Sequence, residues 1–154
     1  MELKCSLDLR VLAIIRTFIT SLAGEMGFAE DKVGEIEMAV DEACANVIRH
    51  AYKHLGVSPD LDQDLTPPPG EEFILLLRLS LAPHMLRIQV VDNGIGKNRM
   101  KGGVQSIEEY TARGSTGGLG TLIIQNFMDE VDYDYPDGRG TVLTMTKYLQ
   151  NPAS

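Results

Sequence analysis

Two apolar runs, EFILLLRLSL at residues 72–81 and HMLRIQVVD at 84–92, are separated by only a short turn around Pro83. Each is long enough for a strand and too short for a helix pair, so together they predict an antiparallel hairpin near the middle of the chain. A hairpin alone cannot bury both faces, and the rest of the chain must supply a cover. The stretch LKCSLDL, residues 3–9, alternates apolar and polar and predicts an opening strand. Apolar residues at 11, 15, 18, 22 and 26 then predict a first helix with Gly27 as its stop. A second helix is expected from an N-cap at Asp31 to about Tyr52, burying Val33, Ile36, Val40, Ala43 and Val47.

GGLGTLIIQNFMDEV predicts a third helix, opened through glycines, and strands near 131–135 and 140–148 close the chain around Pro136-Asp137-Gly138. The order implies one α+β domain over residues 1–154, a two-layer sandwich with helices on one face of a mainly antiparallel or mixed sheet. Residues 55–70, acidic and broken by proline, read as a surface insertion. Residues 97–116 show no period, and a connection of that length is usually a lid, a binding loop or disorder. Their Lys97, Arg99, Lys101 and Arg113 outnumber Glu108 and Glu109, which fits either anion capture or an ordinary solvated loop.

Charge narrows the partners. Fourteen basic residues against twenty-two acidic ones give a formal net charge of -8, which opposes direct nucleic-acid binding. No apolar run approaches a membrane span, so a cytoplasmic protein without membrane contact is expected. Cys5 and Cys44 sit in apolar patterns and read as small core residues.

Three short stretches could carry chemistry. Glu42 and Asn46, in DEACANVIRHAY, lie one helical turn apart on a common face. A carboxylate can accept a hydroxyl proton, and an amide oxygen suits magnesium, although most such pairs are only an exposed polar stripe. In VVDNGIG, Asp92 ends a run expected to be buried and requires a donor. An adenine exocyclic amine would serve, with Gly94 and Gly96 leaving room for the ring, while the bland reading is a tight turn at Asn93-Gly94. GSTGGLG, residues 114–120, stands before a helix whose free amides can face phosphate oxygens; the bland reading is packing alone. Neither GxxxxGK[ST] nor a GxGxxG beginning at Gly94 or Gly118 is present.

Taken in order, DEACANVIRHAY, VDNGIG, GGLG and GRGTVLTM resemble the motifs of the GHKL superfamily of ATPases and kinases, which includes gyrase and the catalytic domains of histidine kinases. The likeness is strongest to the small bacterial anti-sigma factors that are serine/threonine protein kinases, and it runs almost from end to end. That resemblance implies a Bergerat fold with a flexible ATP lid at 97–116 and Mg2+ and ATP as cofactors. It makes Glu42 the general base and Asn46 the magnesium ligand. Asp92 would pair with adenine, Gly94 and Gly96 would line the base pocket, and Gly118 and Gly120 would approach the phosphates. Thr141 would support the Asp92 end of the pocket, and Arg113 would face phosphate charge from the lid. The implied partners are a sigma factor, a STAS-type antagonist phosphorylated on serine or threonine, and a second copy in a homodimer. A nucleotide-gated adaptor that binds its partner without phosphorylating it is the alternative.

Overall fold

The computed structural model describes residues 1–55, 74–92, 119–134, 136 and 140–149, with side chains in the second helix described as far as Arg49. Five strands form one sheet: β1 (Glu2–Cys5), β2 (Leu75–Ala82), β3 (Met85–Asp92), β4 (Glu130–Asp134) and β5 (Thr141–Tyr148). Their order across the sheet is β1-β2-β3-β5-β4, and every neighbouring pair is antiparallel. Helices α1 (Val11–Glu25), α2 (Glu30–Leu55) and α3 (Leu119–Phe127) share one core with the sheet. The expected α+β sandwich is therefore the fold, with a fully antiparallel pairing pattern.

Strand alternation sorts the faces. Leu75, Leu77 and Leu79 of β2, Leu86, Ile88 and Val90 of β3, and Leu143 and Met145 of β5 are all buried. The residues between them include Arg78, Arg87, Gln89 and Thr144, and Gln89 Nε2 donates to Thr144 Oγ1 at 3.1 Å across the β3–β5 pair. One face is apolar and covered, and the other carries mostly polar side chains.

Helix α2 is the axis of the covering layer. Ile36, Ala39, Val40, Ala43, Cys44 and Ile48 form its buried stripe, with Val33 and Val47 at the margins of the core. In α1 the buried centre is Ile15, Ile19 and Ala23, so the expected stripe through 11, 18, 22 and 26 is its half-buried flank. Arg16 fastens the two helices, donating to Asp41 Oδ1 at 2.7 Å and lying 3.4 Å from Glu37.

Four boundaries differ from expectation. β1 ends at Cys5, because Asp8 takes both the Arg10 backbone N–H at 2.8 Å and its guanidinium, turning the chain toward α1 while Leu7 still reaches the core. The second helix begins at Glu30, with Val33 N donating to Ala29 O at 2.9 Å, so Asp31 lies inside its first turn and favours the positive helix end. It also runs to Leu55, three residues past Tyr52, and the remainder of the expected insertion lies outside the described residues. Finally, α3 stops at Phe127, and Glu130 and Val131 pair in β4. Gly27 ends α1 as expected: its φ is 91°, its N–H donates to Gly24 O, and Phe28 N–H reaches back to Ala23 O, a Schellman closure.

Candidate functional site

The middle of α2 and the opening of α3 meet at Glu42. A Cβ built on Gly120 would fall on the Glu42 carboxylate, with Cγ only 2.6 Å away. Only glycine permits this approach without moving the acid. The packing of α3 against α2 that creates it is anchored by Ile124, wholly buried four residues further along α3.

Glu42 is largely sheltered, its side chain 20% exposed, and Arg49 Nη2 donates to both of its oxygens at 3.2 Å. Asn46 lies between these two positions along α2 and is half-buried. Spacings of four and three residues put Glu42, Asn46 and Arg49 on one helical face. Sequence reasoning chose Glu42 and Asn46 and passed over Arg49, whose position seven residues after Glu42 already signalled a shared face.

Asp92 is the last residue of β3, and the sheet register sets Thr141, the first residue of β5, directly across from it. Alternation turns both toward the helical layer: Asp92 continues the row of Val90 and Ile88, and Thr141 the row of Leu143 and Met145. Both are half-buried, so the acid and hydroxyl close the core at one end of the central strands. Gly94, Gly96, Arg113 and Gly118 lie outside the described residues.

A second polar cluster holds the far end of α3. Lys147 is almost completely buried and donates to Glu35 Oε2 at 2.6 Å and to the Phe127 carbonyl at 2.5 Å, with Asp129 Oδ1 at 3.6 Å. Lys32 Nζ reaches the other Glu35 oxygen at 2.7 Å. Burial acts to raise the Glu35 carboxyl, yet the Lys147 and Lys32 ammoniums outweigh it and hold it below the ordinary carboxylate value. Sequence periodicity could not find this cluster, because Lys147 occupies a core position of β5 and its partners come from α2 and the end of α3.

An acid and an amide thus share one face of α2, a glycine admits the next helix against that acid, and an aspartate closes the neighbouring strands. A profile described as the histidine kinase-like ATPase domain matches residues 5–147, and the chain belongs to that family. Its relatives include the serine-protein kinases RsbW of Bacillus cereus (strain AH820), Bacillus anthracis and Bacillus mycoides (strain KBAB4), each 33% identical over 153 residues. Each alignment spans 97% of this chain and 84% of the relative. The motif resemblance thus extends to the whole chain and to the RsbW type.

Proposed function

We propose that this protein is an anti-sigma regulatory factor that uses Mg-ATP to phosphorylate a serine or threonine of a STAS-type antagonist. The observation that carries the reading is the meeting of Glu42 with Gly120, which sets a sheltered carboxylate at the opening of α3. That helix opening follows the glycine-rich stretch assigned to the phosphates.

On this reading Glu42 accepts the proton of the acceptor hydroxyl. The oxygen of that serine or threonine forms the new bond to the γ-phosphorus, the bond to the β-phosphate bridging oxygen breaks, and ADP leaves. The Asn46 amide oxygen would hold magnesium, which when bound neutralises phosphate charge. Asp92, supported by Thr141 opposite, accepts the adenine amine. A site built around that hydrogen bond rejects guanine, which presents a carbonyl there. Gly94, Gly96 and Gly118 would line the nucleotide, and Arg113 would act from an ATP lid at 97–116, all outside the described residues. A cytoplasmic homodimer that alternates between a sigma factor and the antagonist completes the proposal. Among the described residues no helix is long and apolar enough to cross a membrane.

The test is to incubate the protein with Mg-ATP and the STAS-domain proteins of its source cell and to map modified sites by mass spectrometry. Phosphoserine or phosphothreonine on one of them supports the kinase reading. A stoichiometric complex without transfer would favour the nucleotide-gated adaptor.

A further inference from the structure

Arg49 is the one cation seen on Glu42 among the described residues, and its geometry is specific. A single guanidinium nitrogen sits 3.2 Å from each carboxylate oxygen, so it straddles the acid. The two residues are separated by nearly two helical turns, about 10 Å of helix axis, and both side chains must bend toward each other to meet. The Gly120 backbone closes another side of the same carboxylate. Glu42 is thus bounded by a wall that excludes a methyl group and by a cation that fixes its orientation.

We propose that Arg49 is a positioning residue for phosphoryl transfer, holding the Glu42 carboxylate in the orientation from which it takes the acceptor's proton. This rests on the reading of Glu42 as the base. A glutamate has three side-chain torsions, and without a partner it samples orientations that do not serve proton transfer. Misplacement of a reacting group by about 1 Å can reduce a rate by about 10²-fold. The Arg49 side chain is half exposed, and exposed ion pairs add little to stability. The pair therefore acts on orientation more than on folding.

The experiment is a double-mutant cycle in phosphate transfer from γ-labelled Mg-ATP to the antagonist, comparing wild type, Arg49→Ala, Glu42→Ala and the double variant. Arg49→Ala is expected to lower kcat by about 5- to 50-fold, with KM for ATP within about twofold and an unchanged melting temperature. Arg49→Lys should restore part of the rate, because an ammonium can still pair with the carboxylate. In the Glu42→Ala background, removal of Arg49 should change the residual rate little, since it acts through Glu42. An unchanged or raised kcat in Arg49→Ala, or an equal loss in both backgrounds, overturns the positioning role while leaving the kinase reading intact. A wild type that transfers no phosphate, or a Glu42→Ala variant as fast as wild type, overturns both.

Discussion

At the scale of the residue, the decisive feature is the missing side chain at Gly120. Alanine there would place a methyl group on the Glu42 side chain from Cγ to Oε1, so the carboxylate must swing out of the orientation in which Arg49 holds it, while no backbone atom is struck. Gly120→Ala should therefore lower phosphate transfer by about tenfold or more through misplacement of Glu42, while helix propensity keeps the melting temperature level or raises it slightly. A loss of rate that simply tracks a loss of folded protein would contradict that account. Glu42 and Asn46 were legible in the sequence because helical spacing alone puts them on one face. Gly120 stood out only through the motif resemblance, whereas its contact with Glu42 depends on how α3 packs on α2, which no local pattern encodes. Cys44 shows local pattern at its most dependable: it sits on the apolar stripe of α2, is fully buried, and burial pushes its thiol well above the ordinary value. It should resist alkylation in the native protein at pH 8 and react only after denaturant is added.

At the scale of the element, α3 is held at both ends: by its glycine opening against Glu42 and by Lys147 at its C-terminus. The sequence read the helix through DEV, since propensity alone does not show that a buried ammonium takes the Phe127 carbonyl and that the next residues pair with β5. Removing Glu35 leaves that ammonium short of its nearest carboxylate, and Glu35→Ala should cost about 1.5–3 kcal/mol in a denaturant titration. The same contact sets a pH dependence. Because the folded Glu35 carboxyl lies below its ordinary value of 4.5, its contribution is complete above that value and is lost as pH falls through the lower folded value. Wild type should thus lose stability on acidification below about pH 4.5 more steeply than Glu35→Gln, as equilibrium unfolding at several pH values would show. Parallel curves for the two proteins would remove the ion pair from the explanation.

At the scale of the whole molecule, the core is continuous from β2 and β3 through α2, so truncating its centre should be felt globally. Ile36→Ala, at a position with no exposure, should cost about 2–5 kcal/mol in a single cooperative transition. The layer arrangement was readable from the central hairpin and the two long amphipathic helices, whereas the strand order β1-β2-β3-β5-β4 was not, because the pairing of β5 with β3 joins segments far apart in sequence. That pairing is also what sets Thr141 opposite Asp92 and closes one end of the proposed nucleotide site. The central claim is that this fold brings a base to a phosphorylation reaction, and it is tested most directly by comparing wild type with Glu42→Ala in both ATP binding and phosphate transfer to the antagonist. The account predicts equal ATP affinity and a transfer rate lower by about 10²- to 10⁴-fold in the variant. Equal transfer rates in the two proteins would contradict it.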